Sequence, residues 1–314
     1  MTPIILNALT PIFFVLALGY LAGRLKRIDN RRVGELNVLV MEFALPASLF
    51  AATLRTPRAA LIGQWTMVVA LGLGMLVIYG VAYFLQRRVF KLDTQHAAVQ
   101  TLTTALPNYA SVGLPLVAAV FGPSQTILVA ISIACGAVIV SPLTLTLLEV
   151  GKAGNEGRLT ARRLGKSMRA AMLKPIVAAP LVGVILSFFG FGLPPLLGSS
   201  LELIGRTAGG VALFLTGLIL SAQPFRLDGN VALSVLLKNI VHPLIAVIIV
   251  KLLRMPPELA RAAILISAIP SGFFGVLFGL RYGVAPQEAG STLIASSVLS
   301  AATIAAAIYL TAPR

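Results

Sequence analysis

Apolar residues run along this chain in long, nearly unbroken stretches, separated by short polar loops rich in Lys and Arg. Stretches of this kind fall at residues 3–23, 35–54, 64–86, 95–120, 124–148, 172–191, 199–221, 230–253, 259–282 and 286–311. Each comes close to or exceeds the roughly 20 apolar residues that carry a helix across a bilayer. A segment inside lipid must satisfy its own backbone hydrogen bonds, and the strict alternation of a barrel strand is absent. The pattern therefore predicts helices 1 to 10 of an all-α polytopic membrane protein.

The two halves of the pattern repeat. Helix 4 contains Ala105-Leu106-Pro107-Asn108, and helix 9 contains Ala268-Ile269-Pro270-Ser271. Pro270 follows Pro107 by 163 residues, and Pro286 follows Pro123 by the same 163. Leu49-Phe50 in helix 2 recurs as Leu213-Phe214 in helix 7, at 164. Five helices is an odd number, so the second copy enters the membrane upside down. The expected organisation is a five-helix repeat over 1–148, a basic cytoplasmic linker over 149–171, and a second, inverted repeat over 172–314.

Proline removes an amide donor and clashes with the preceding helical turn. Helix 4 (Leu106-Pro107-Asn108-Tyr109-Ala110-Ser111-Val112-Gly113-Leu114-Pro115) and helix 9 (Pro270-Ser271-Gly272-Phe273-Phe274-Gly275) are thus both predicted to break near mid-membrane. Exposed backbone at that depth is tolerated only where protein or a water-filled cavity covers it. Transporters built from inverted repeats place their substrate site on such breaks. Two breaks at matching repeat positions are expected to cross, with half-helix N-termini offering partial positive charge to an anion. Pro107, Asn108, Tyr109, Ser111, Pro270 and Ser271 are the candidate binding residues. Pro46, Pro142 and Pro243 read as ordinary kinks.

Composition sharpens this picture. The 314 residues are 58% hydrophobic and only 11% charged, against roughly 25% charged in a soluble domain. Ten spans leave little for a soluble domain, so one membrane domain and no extramembrane enzyme module are expected. The net charge of +15 could suggest nucleic acid, but the cations lie in loops and form no basic face on a soluble fold. With cations at span ends assigned to the adjoining loop, seventeen Lys and Arg follow the odd-numbered helices. Six follow the even-numbered ones or lie in the C-terminal tail. The positive-inside rule puts the first set in the cytoplasm and both termini outside.

Charged groups deep in a membrane are costly and usually functional. Glu42 is the one acidic residue well inside a span, and Arg206 and Lys238 are the interior cations. Arg206 lies 164 residues after Glu42. A Glu42–Lys238 interaction is expected from their similar depth, and His242, one turn beyond Lys238, is a candidate proton carrier. These four are the candidate coupling or gating residues. Cys135 is the only cysteine, so no internal disulfide or cysteine-based metal cluster can form. No HExxH, Asp-rich or GxxxxGK[ST] motif occurs, so neither an enzyme nor an ATP-driven pump has visible chemistry. No metal and no cofactor is expected.

The run Asn108-Tyr109-Ala110-Ser111-Val112-Gly113-Leu114-Pro115-Leu116 resembles the helix-4 motif of the auxin efflux carrier family. Ala44-Leu45-Pro46-Ala47-Ser48-Leu49-Phe50, Gly210-Val211-Ala212-Leu213-Phe214 and Gln223-Pro224-Phe225 look like its helix-2, helix-7 and post-helix-7 motifs. The resemblance covers essentially the whole chain, and the short central loop makes it similar to the compact bacterial members. It implies ten helices with helices 4 and 9 crossed, a scaffold of helices 1, 2, 6 and 7, and an elevator-like transport domain. It also implies a small carboxylate as substrate, auxin- or malonate-like, with Asn108 contacting it. A homodimer through helices 2 and 7 and a place in the bacterial cytoplasmic membrane follow from the same resemblance. The expectation is a secondary transporter of a small organic anion. A sodium-coupled symporter of the bile-acid type and a non-transporting membrane sensor are the alternatives.

Overall fold

The computed structural model describes residues 2–29, 33–152, 161–284 and 287–311. They fold into helices, and no strand occurs among them. In chain order these are α1 (Thr2–Arg24), α2 (Val33–Arg55), α3 (Arg58–Arg88), α4 (Thr94–Ala105), α5 (Tyr109–Phe121), α6 (Pro123–Lys152) and α7 (Ala161–Met172). There follow α8 (Pro175–Phe188), α9 (Pro195–Ala222), α10 (Gly229–Leu252), α11 (Pro257–Ser267), α12 (Phe274–Tyr282) and α13 (Gln287–Thr311). Seven of the described helices are long and apolar enough to cross a membrane: most of α1, then α2, α3, α6, α9, α10 and α13. The apolar stretch 95–120 is divided between α4 and α5, and 259–282 between α11 and α12, each divided just at its proline.

The internal prolines show how the chain absorbs a missing amide. Pro46, Pro115, Pro142 and Pro243 each lie two residues beyond a widened π turn, at Leu39–Ala44, Tyr109–Gly113, Gly136–Val140 and Leu237–Val241. Just before three of these prolines, the amides of Leu45, Ser141 and His242 bond the carbonyls of Val40, Gly136 and Leu237, five residues back. The wider turn shifts the hydrogen-bond ladder, so the helix continues past the proline ring.

The linker expected at 149–171 is ordered at both ends. Residues 149–152 complete α6, and Ala161–Met172 form the helix α7; residues 153–160 lie outside the described residues, as does Pro286 of the repeat pattern. Arg162, Lys166 and Arg169 recur at four- and three-residue spacing, which is a helical period.

The chain divides into two compact units, and neither is a sequence half. The first unit takes residues 1–69, 109–134 and 173–222. In it α1 packs along the second part of α9, and the Leu45–Arg55 part of α2 packs on α8 and α9. Gly217 sits so close to α1 that a Cβ there would strike the Leu16 carbonyl, with the Tyr20 amide 2.7 Å away. Small residues permit this backbone approach, which drives helix association where lipid supplies no hydrophobic force. The Ser187 hydroxyl donates to the Thr56 carbonyl at 2.7 Å and ties α8 to the end of α2.

The second unit takes residues 70–108, 135–172 and 223–314. In it α4 packs on α12, α13 and the last part of α6, while α10 packs on α11 and α13. Its interior is unusually polar. Gln86 Nε2 donates to Asn230 Oδ1 at 2.8 Å, and Gln100 Nε2 donates to Ser234 Oγ and Thr292 Oγ1, each at 2.9 Å. Tyr79 and Thr144 share a hydroxyl–hydroxyl bond of 2.8 Å.

Candidate functional site

The second unit is organised around the two breaks. Proline disfavours a helical conformation in the residue before it, and Leu106 accordingly leaves α4 with extended backbone. Its carbonyl has lost its helical partner and accepts from the Gly272 amide at 2.8 Å. In return, the Asn108 amide donates to the Pro270 carbonyl at 2.8 Å. The two breaks thus form a one-rung antiparallel bridge between Pro107 and Ser271. Each break satisfies the backbone groups that the other proline released.

Glycine makes this approach possible. A Cβ on Gly272 would lie 2.8 Å from the Leu106 carbonyl oxygen and 3.1 Å from that of Pro107. One turn on, a Cβ on Gly275 would strike the Thr103 hydroxyl and come within 2.8 Å of the Val99 carbonyl. The bridge is held from behind by α13 and α10. Ser271 donates its amide to Ser296 Oγ at 3.0 Å; Ser296 Oγ donates to Asn239 Oδ1 at 2.6 Å; Asn239 Nδ2 returns to the Ser296 carbonyl at 3.0 Å.

Lys238 lies beside Asn239 in the π turn of α10 and is fully buried. Its Nζ is 2.8 Å from the Ser267 carbonyl, to which it donates, and 3.0 Å from His242 Nδ1. Ser267 is the last residue of α11, where carbonyls lack helical partners and favour a cation. Pro270 and Ser271 follow within a turn.

The predicted residues therefore divide. Pro107, Asn108, Pro270 and Ser271 come together, all buried, in the second unit. Lys238 and His242 pair with each other in that unit. Tyr109 and Ser111 are buried in the first unit, where Ser111 accepts from Thr216 Oγ1 at 3.0 Å. Glu42 sits in the π turn of α2, in the first unit, on an exposed position. Lys238 finds its partners within its own unit instead of in Glu42. Arg206 is on the surface and pairs with Glu202 at 2.9 Å; Arg55 reaches the other oxygen of the same carboxylate at 3.5 Å. These three line a cavity of about 620 Å³ in the first unit, with Ser48, Gln64 and Thr126.

Sequence reading missed Gln86, Gln100, Asn230, Ser234, Asn239, Ser267, Thr292 and Ser296. Their signal was present: each is a polar residue within an apolar stretch, and a buried polar group needs a partner. Gln86 Oε1, Gln100 Oε1 and Thr101 Oγ1 are buried without a hydrogen-bond partner among the described residues. No group of three or more His, Cys, Asp or Glu able to hold a metal ion occurs among them either.

Residues 4–308 match the family model described as membrane transport protein. The Escherichia coli (strain K12) protein named "Uncharacterized transporter YfdV" is 28% identical, over 93% of this chain and 92% of its own length. A Rhizobium meliloti (strain 1021) protein named "Putative malonate transporter" is 26% identical over 96% of this chain and 93% of its own length. "Auxin efflux carrier component 8" of Arabidopsis thaliana is 26% identical over 48% of this chain and 43% of its own length. The relatives are transporters, in keeping with a chain that carries apolar helices and no enzyme motif. The chain belongs to the membrane transport protein family, that of the auxin efflux carriers.

Proposed function

We propose that this protein is a secondary transporter that moves a small organic anion, a mono- or dicarboxylate, across the cytoplasmic membrane of a bacterium. The observation that carries the reading is the bridge between Pro107 and Ser271. Two proline breaks meet there in a polar, buried setting. A carboxylate bound at this crossing would meet the Asn108 side chain and the free end of α12, whose N-terminal amides favour an anion. Pro107 and Pro270 open the backbone, and Ser271 adds a buried hydroxyl. Tyr109 and Ser111, at the start of α5, are kept as candidate binding residues of the first unit. The name of the Rhizobium meliloti relative supports malonate, and that of the plant relative an auxin, as chemical types.

The proposed architecture is ten membrane crossings in two inverted five-helix repeats, 1–148 and 172–314, with both termini outside. Its proposed mechanism is alternating access of the elevator type, with α1, α2, α8 and α9 as scaffold. That these four fall in one compact unit supports the assignment. A homodimer through α2 and α9 belongs to the same reading. Glu42 and Arg206 are assigned to gating at the scaffold.

The test is counterflow of labelled malonate, malate, succinate, lactate and indole-3-acetate in proteoliposomes. Counterflow of at least one acid is expected, and none from any acid would overturn the reading. A second reading, sodium coupling, draws on the buried oxygens of Gln86, Gln100 and Thr101, which have no hydrogen-bond partner among the described residues. Net uptake that is unchanged when choline replaces sodium would dismiss it.

A further inference from the structure

Lys238 is a base buried in the middle of an apolar helix, and its nearest partners are both neutral. They are the Ser267 carbonyl at 2.8 Å and His242 Nδ1 at 3.0 Å. Among the described residues, no carboxylate lies within ion-pair distance of it. The elements packed against its turn and against His242 are the first part of α10, then α4, α11 and α13, with Gly74 of α3 approaching the ring. Their ionisable groups are His96 on α4, Glu258 and Arg261 on α11, Glu288 and Tyr309 on α13, Tyr79, Tyr83, Arg87 and Arg88 within residues 70–88 of α3, and Lys251 on α10 itself. The acids and the cations among these stand near helix ends, outside the apolar middle. Tyr79 is already bonded to Thr144.

An uncompensated buried charge is among the costliest features a protein can carry, and a partner of opposite sign removes most of that cost. The carbonyl end of α11 supplies only a partial negative charge. Two full cations 3.0 Å apart repel strongly in a low dielectric. The Lys238–His242 pair therefore holds at most one excess proton. The missing partner is an anion within reach of the crossing, and Ser267 stands three residues before Pro270.

We infer that Lys238, braced by His242 and the end of α11, takes up one proton together with the carboxylate substrate and gives it up when the carboxylate leaves. The proton comes from water on the entry side, forms an N–H bond with the Nζ lone pair, and returns to water on the exit side. No electrons move and no other reactant is needed. Binding linkage makes the effect mutual: the anion favours the proton as much as the proton favours the anion. A monocarboxylate would then cross as a neutral pair, which lowers the barrier to carrying it through lipid.

This inference rests on the transport reading, and one experiment separates the two. Proteoliposomes loaded with pyranine report protons while labelled acid reports flux, with protein-free vesicles correcting for leak of the neutral acid. The acid used is the one from the panel with the strongest counterflow. The expected result is one proton per acid molecule. Lys238→Arg keeps a charge that cannot be given up, so whatever acid exchange it retains should carry no proton, and the ratio of protons to acid should fall from one to zero. Acid flux without protons in the unsubstituted protein would overturn the inference and leave the transport reading intact. So would a ratio of one that persists in Lys238→Arg. Absence of flux for every acid would instead remove the transport reading on which it stands. Should Lys238→Arg fail to fold, the ratio in the unsubstituted protein decides.

Discussion

Replacing Gly272 by alanine adds one methyl group at the tightest point of the crossing. The added Cβ would stand 2.8 Å from the Leu106 carbonyl oxygen, 3.1 Å from that of Pro107 and 3.2 Å from its carbonyl carbon. All three atoms are backbone, so no side chain can swing away. Reaching ordinary contact at 3.4 Å or more means moving the two breaks apart by several tenths of an ångström. The two bridge hydrogen bonds start at 2.8 Å and would stretch past the distance at which such bonds are strong. Overpacking a tight site costs about 1–3 kcal/mol, and weakening two bonds adds about 1 kcal/mol, for a total of about 2–4 kcal/mol. Amide hydrogen exchange on peptides containing Asn108 and Gly272, in detergent or nanodiscs, measures this directly. At least tenfold faster exchange is expected there, since about 1.4 kcal/mol is a factor of ten, together with a lower unfolding temperature. Gly80→Ala is the control, because nothing lies within 4 Å of the added atom and alanine suits a helix better than glycine. Unchanged exchange and stability in Gly272→Ala would show that the bridge does not hold the breaks together.

Gln100→Leu removes two buried hydrogen bonds, to Ser234 and Thr292. It should destabilise by about 1–3 kcal/mol, read as a lower midpoint in thermal unfolding. At the start of α4, Asp93 accepts from the amides of Gln95 and His96, at 2.8 and 3.0 Å, and from the His96 ring at 2.6 Å. Partial burial works against the Asp93 charge, but the hydrogen bonds and charge of His96 outweigh it and hold the carboxyl below its usual range. Asp93→Ala should cost about 1 kcal/mol as a lost helix cap. Because the folded-state carboxyl is the stronger acid, its contribution is complete above the unfolded-state value of about 3.9 and fades as pH falls further. Unfolding temperatures of the two proteins should therefore differ at pH 5 and converge as the pH falls below about 4.

Much of this arrangement is legible in the sequence because lipid and proline are strict. A bilayer demands long apolar helices, so the stretches at 35–54, 64–86, 124–148, 199–221 and 230–253 reappear as α2, α3, α6, α9 and α10. Pro107 and Pro270 break their helices because neither residue can donate an amide, and the matched spacing foretold that the breaks would meet. The partner of Lys238 was not legible. Depth alone pointed to Glu42, whereas the structure offers a carbonyl freed by the end of α11, 29 residues along the chain. A backbone acceptor carries no sequence signature. Gln86, Gln100, Asn230, Ser234 and Thr292 each signal a buried polar group in the sequence, but their pairing does not, because only the packing of four helices joins them. Helix α7 is hard to see in the sequence because its basic residues look like loop charge, although Arg162, Lys166 and Arg169 keep a helical period.

The central claim is that the crossing at Pro107–Asn108 and Pro270–Ser271 binds a carboxylate. Equilibrium binding of the most strongly transported labelled acid to purified protein tests it most directly, with Asn108→Ala and Ser271→Ala compared with the control Gly80→Ala. Saturable binding is expected to survive in Gly80→Ala and to weaken at least tenfold in Asn108→Ala, with Asn108→Ala still folded by thermal unfolding. Equal affinity in a folded Asn108→Ala and a folded Ser271→Ala would contradict it and place the anion elsewhere in the protein.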